Sequence, residues 1–127
     1  QAAFLNIKLK KLNQINLHKK KLARIYLENL SDKFIKPSED KNCDSVHHIF
    51  PIRFHERKKL IKYLDSKKIQ VLIHYPKPPY MQSFYKKISS KKYPISTEIH
   101  NTILSLPIST IHSEEDIYMI TKILNRF

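Results

Sequence analysis

Ile69-Gln-Val-Leu-Ile-His-Tyr-Pro-Lys-Pro-Pro-Tyr-Met-Gln82 is an apolar, β-branched run that ends in a polar aromatic pair and stops against Pro76, Pro78 and Pro79. β-Branched residues favour extended backbone, while prolines fix φ and withdraw backbone donors. The stretch therefore predicts a strand over Ile69–Ile73 that delivers an imidazole, His74, and a phenol, Tyr75, to a stiffened rim. On chemistry alone the pair reads equally as contacts for a polar ligand and as hydrogen bonds that anchor the proline loop.

Upstream, Ser45 to Phe54 alternates, with Val46, His48, Phe50, Ile52 and Phe54 on one face, as a half-buried strand does. That register makes His48 a core histidine. Pro51 faces the other way and lacks a donor, which places the strand at an edge or at a bulge. His55 to Ser66 carries Leu60, Ile61 and Leu64 at helical spacing, so the segment reads as strand, helix and strand, a βαβ-like unit. Residues 1–30 read as one long amphipathic helix or two abutting ones, with Leu5, Leu9, Leu12 and Asn16 followed by Leu22, Ala23, Tyr26, Leu27 and Leu30. This stripe is expected to pack in a core or against a subunit. Ser31 to Asp44 is a polar loop, and Tyr80 to Ile88 is a short helix or irregular. Ser96 is placed to cap a helix bearing Ile99 and Ile103, and Leu104–Ile108 is a brief extended piece ended by Pro107. Ser113-Glu-Glu-Asp116 has the form of a capping box opening a last helix with Ile117, Ile120, Leu124 and Phe127.

At 127 residues the chain is one domain at most, and 41% hydrophobic content is too high for a disordered one. Glycine is absent, which excludes every glycine-rich phosphate cradle and forces left-handed turns onto other residues. The net charge of +13 is mostly scattered lysine, with little of the arginine that reads base edges, so specific nucleic-acid binding is not expected. No apolar run is long enough to cross a membrane. The single cysteine, Cys43, fits a reducing, cytoplasmic compartment and reads as a loop thiol.

Seven histidines raise the question of a metal, yet His47-His48, His55 and His74 fall into no ligand spacing, and no metal site is expected. No nucleophile sits beside a base and no pair of acids is poised for proton transfer. Within itself the chain offers no catalytic residue.

Several segments together resemble one family. They are Gln1-Ala-Ala-Phe-Leu-Asn-Ile-Lys-Leu-Lys-Lys-Leu12, His48-Ile-Phe-Pro-Ile-Arg53 followed by Arg57, Ile73-His-Tyr-Pro-Lys-Pro-Pro79 with Gln82, Glu98-Ile-His-Asn-Thr-Ile-Leu-Ser-Leu-Pro-Ile-Ser109, and the closing Leu-Asn-Arg-Phe127. In this order they resemble the C-terminal part of the DegT/DnrJ/EryC1/StrS family of nucleotide-sugar aminotransferases that depend on pyridoxal phosphate (PLP). The His-Tyr-Pro-x-Pro-Pro and Leu-Ser-Leu-Pro-Ile-Ser forms look most like the branch acting on dTDP-linked 3-keto-6-deoxyhexoses.

The resemblance implies an α+β fold, the small C-terminal domain of a fold-type I homodimer, with a small sheet flanked by helices. Residues 1–30 would be a long helix on the interdomain or dimer side, and 31–127 the α+β domain proper. It implies a larger PLP domain upstream that holds the Schiff-base lysine, so no residue of this chain is expected to bind the cofactor covalently. The full enzyme would move an amino group from an amino acid, glutamate, to the keto sugar, and the isolated chain would be catalytically silent. His74 and Tyr75 match family positions near the sugar nucleotide; His48 and Arg53 match positions that support the site, and Tyr80 is a further supporting candidate. The chain departs from the family at Tyr80, where members commonly carry histidine, and near Lys68, where they commonly carry a glycine, so Lys68 must accept a strained turn or shift it. The alternatives of another class are a small basic nucleic-acid or protein-binding module and a non-catalytic remnant.

Overall fold

Helical periodicity at the start of the chain produces two abutting helices, α1 over Ala2–Leu9 and α2 over Leu12–Asn29. The computed structural model describes residues 1–38, 40, 42–85 and 93–127. The chain divides into two units, one of Gln1–Ser31, Pro37–Phe50 and Pro107–Phe127, the other of Asp32–Lys36 and Pro51–Leu106.

In the first unit α2 packs against the last helix, α5, which spans Glu114–Asn125. Buried side chains come from one stripe of each: Leu22, Ala23, Ile25 and Tyr26 from α2, and Ile117, Ile120, Thr121 and Leu124 from α5. Each large apolar side chain removed from water stabilises the unit by roughly 1.5–3 kcal/mol. The Tyr26 ring lies 4.8 Å from that of Phe50. Its hydroxyl donates to the Pro107 carbonyl at 2.9 Å, so this polar atom enters the core satisfied. α5 starts as its sequence predicts: Ser113 accepts from the Asp116 amide and Asp116 accepts from the Ser113 amide. With no glycine to cap it, α2 ends on a side-chain latch instead. Asn125 donates to the Asn29 carbonyl at 2.8 Å and accepts from the Ser31 amide at 2.9 Å. α1 buries none of its residues; Leu5 and Leu9 of the predicted stripe are 60% and 66% exposed.

The strand predicted over Ser45–Phe54 is shorter. β1 spans Phe50–Arg53, and the residues before it are irregular. His47 takes a left-handed conformation, φ 48°, which breaks the two-residue period. His47 and Phe50 then point inward together, their rings 6.0 Å apart, while Val46 and His48 are exposed. The expectation that His48 is the core histidine is therefore corrected: His47 occupies the buried position.

In the second unit β1 pairs antiparallel with β2, Ile103–Leu106, so the brief extended piece read before Pro107 is the true partner. The expected βαβ-like unit does not form. Ile69–Ile73 is no regular strand; it joins β2 only through an antiparallel bridge, with Leu72 and Ser105 exchanging both backbone hydrogen bonds. Ile35 bridges Arg53 in the same way. Alternate residues of a strand direct their polar groups to opposite edges. Ile35 therefore flanks β1 on the side away from β2, and Leu72 flanks β2 on the side away from β1. Pro51 shares the outer edge with Arg53, and the bridge to Ile35 is made at Arg53, so the missing amide of Pro51 removes no bond from it.

α3 spans Arg57–Ser66 and buries Leu60 and Leu64. Its end confirms the strained turn expected at Lys68, which has φ 60°. The Lys68 amide bonds the Asp65 carbonyl at 2.8 Å and the Ile69 amide bonds the Leu64 carbonyl at 2.9 Å, the two bonds of a Schellman motif. Ile69 is buried, as the apolar residue after such a cap should be. A short 3-10 turn follows at Pro79–Met81; the end of the predicted piece at Ile88 lies outside the described residues. α4 spans Pro94–Thr102. Its cap is Tyr93, three residues before the expected Ser96, because Pro94 takes the first-turn position, where a missing amide costs nothing.

Candidate functional site

The His74–Tyr75 pair lies beside β2, where the bridge at Leu72 has just ended, and the peptide bond between the two is cis. Their rings meet edge to face, with centroids 5.6 Å apart. Ser105, buried on β2, lies 2.9 Å from His74 Nδ1, so the imidazole is fixed through one nitrogen. Tyr75 is 67% exposed. Its backbone is held instead: the Tyr75 carbonyl lies 2.6 Å from His100 Nδ1 on α4. A carbonyl oxygen only accepts, so Nδ1 carries the proton and donates.

α4 is itself anchored to α3. Arg57 Nη1 donates to the carbonyls of His100 at 2.6 Å and Ile103 at 3.1 Å, which closes the carbonyl end of α4 with a cation. Burial pulls the Arg57 guanidinium below its usual range. Arg53 also reaches α4, donating to Thr102 Oγ1 at 3.1 Å and pairing with Glu98. Thr102 in turn donates to the Glu98 carbonyl at 2.8 Å. Tyr80 bonds Thr97, and its ring packs on Tyr93 at 5.0 Å. An open groove of about 520 Å³ runs along the first turns of α4, lined by Tyr93, Pro94, Ile95, Ser96, Ile99 and His100.

Of the residues singled out in the sequence, His74 and Tyr75 thus stand together at one edge of the sheet, while Arg53 and Tyr80 brace α4. His48 lies in the other unit, exposed, with its carbonyl accepting from Lys19 Nζ at 3.2 Å. His100 and Ser105 were not legible as partners of the pair. Both lie inside the Glu98–Ser109 motif, but nothing in their spacing shows that the chain returns there.

A model of the DegT/DnrJ/EryC1/StrS aminotransferase family matches residues 1–125. The chain belongs to this family. It is 38% identical to the dTDP-3-amino-3,6-dideoxy-alpha-D-galactopyranose transaminase of Aneurinibacillus thermoaerophilus, over 100% of this chain and 35% of that protein. It is 32% identical to the dTDP-3-amino-3,4,6-trideoxy-alpha-D-glucose transaminase of Streptomyces venezuelae, over 85% of this chain and 30% of that one. Among solved structures, the family aminotransferase of Brucella abortus superposes with a TM-score of 0.92 at 31% identity, covering 100% of this chain and 35% of its own. DesV of Streptomyces venezuelae, solved with a ketimine intermediate, gives 0.93 at 27%, covering 99% and 35%. The chain thus spans about a third of the length of these relatives.

The family is PLP-dependent. One depression, of about 380 Å³, is lined by His55, Glu56, Arg57, Lys58, Lys59 and Asn101, and another, of about 100 Å³, by Lys20, Arg24, Leu27, Asp44, Ser45 and His47. In each a lysine is already paired with the acid, Lys59 with Glu56 and Lys20 with Asp44. Among the described residues no three of His, Cys, Asp and Glu gather where a metal ion could be held. Among those residues, too, no helix is long and apolar enough to cross a membrane.

Proposed function

We propose that this chain is the C-terminal part of an aminotransferase that moves an amino group from an amino acid, glutamate, to a dTDP-linked 3-keto-6-deoxyhexose. The observation that carries the reading is the match over the whole chain to a dTDP-amino-sugar transaminase at 38% identity. His74 and Tyr75 form one wall of the substrate site. Imidazole Nε2 and the phenol hydroxyl offer hydrogen bonds to hexose hydroxyls and diphosphate oxygens, and they orient the substrate rather than transfer protons. Arg53 and Tyr80 keep α4 in place behind that wall. PLP and the lysine that holds it belong to the rest of the protein, which works in the cytoplasm as a homodimer. α1, apolar and exposed in the isolated chain, supplies interface to the preceding domain or to the second subunit.

Two measurements test this. Incubating the purified chain with PLP and reducing with borohydride should trap no stoichiometric lysine adduct; one specific adduct would show that the Schiff-base lysine lies here. Titrating dTDP into isotope-labelled chain should perturb the signals of residues 73–78 saturably, with affinity reduced severalfold by Tyr75→Ala. No saturable effect on those signals overturns the assignment of the pair to the nucleotide sugar.

A further inference from the structure

We infer that His100 is a positioning residue for the substrate wall, acting through Tyr75; the inference rests on the reading of His74–Tyr75 as the nucleotide-sugar contact. Tyr75 is 67% exposed, so its placement rests on its backbone and on the edge-to-face contact with the His74 ring. The neighbouring backbone is held at Leu72 by the bridge to Ser105, and His74 is held by the Ser105 hydroxyl. The Tyr75 carbonyl is held by His100 Nδ1 at 2.6 Å. His100 is in turn fixed at its own carbonyl by Arg57. The chain of contacts Arg57, His100, Tyr75 thus passes the placement of α3 and α4 to the exposed phenol. Only an Nδ1–H imidazole can do this, because the acceptor is a carbonyl. His100 also lines the groove along α4, so the same side chain joins the Tyr75 wall to that groove.

The test uses labelled chain and three variants. Nitrogen NMR of the wild type at neutral pH should show His100 as the Nδ1–H tautomer. His100→Asn places an amide donor near the Nδ1 position, whereas His100→Gln carries it one carbon further and His100→Ala removes it. Tyr75 amide and ring signals should move in the Ala and Gln variants and return in Asn. The affinity for dTDP should fall about five- to tenfold in Ala, the worth of one hydrogen bond, and stay within about twofold of wild type in Asn. An Nε2–H tautomer, or an Asn variant no better than Ala, overturns the positioning role. Tautomer and Asn rescue as expected, with no dTDP binding by wild type, uphold the positioning of Tyr75 and overturn the nucleotide reading instead.

Discussion

At the scale of single residues, the absence of glycine concentrates strain at identifiable places. Lys68 holds the left-handed position of the Schellman cap, which disfavours a side chain by roughly 1–2 kcal/mol. Lys68→Gly relieves the clash but adds freedom to the unfolded chain, so a net gain of about 0.5–1 kcal/mol is expected in urea denaturation. A loss would show that the lysine side chain contributes more than its backbone costs. Tyr26 makes the opposite point. Burial pushes its phenol well above the ordinary value, so the folded state holds the neutral form. A raised value stabilises fully below the unfolded pKa near 10 and is lost as pH climbs from there toward the folded value. Tyr26→Phe removes this alkaline sensitivity. It also leaves the Pro107 carbonyl without its donor, at a cost of about 1 kcal/mol at neutral pH. Melting curves of both proteins at pH 7 and pH 11 check the two effects separately.

At the scale of elements, ends matter more than middles. α5 begins on a reciprocal cap, and the Ser113 amide donating to Asp116, with the Ser113 hydroxyl, holds that carboxyl below the usual range. A depressed carboxylate stabilises above its unfolded pKa and is lost as pH falls through the folded value. The start of α5 should therefore loosen below about pH 4, seen as loss of amide exchange protection in its first turn. Ser113→Ala should cost about 1 kcal/mol at neutral pH by chemical denaturation. Helix α4 depends on Arg57 at its other end; Arg57→Lys retains the charge but not the two-carbonyl geometry, and should lower the protection of the His100 and Ile103 region.

At the scale of the whole molecule, α1 is the unexplained expense. Phe4, Leu5, Ile7 and Leu9 of α1, with Leu12 at the start of α2, are all exposed, and apolar side chains exposed together mark an interaction surface. If this patch is interface in the complete protein, the isolated chain should self-associate in sedimentation. Leu5→Lys with Leu9→Lys should reduce that association and leave the melting temperature of the dilute chain unchanged, since neither side chain is buried. A patch whose removal changes stability but not association would contradict the interface role.

The sequence alone determined what depends on neighbours in the chain. The helical opening, read as one long helix or two abutting ones, the capped α5 and the end of β2 at Pro107 rest on spacing, capping chemistry or φ restrictions, while the turn at Lys68 and the motifs around His74–Tyr75 were legible through the family resemblance. Tertiary structure decided what depends on distant partners. A two-residue period could not reveal that His47 turns left-handed and takes the buried place expected for His48. Nor could it show that Ile69–Ile73 would lose its strand to a single bridge while Ile103–Leu106 became the partner of β1. The site divides the same way. The imidazole and phenol were legible because they interrupt an apolar run, but Ser105 and His100 stand about 25 to 31 positions away, joined to the pair by hydrogen bonds that only the fold closes.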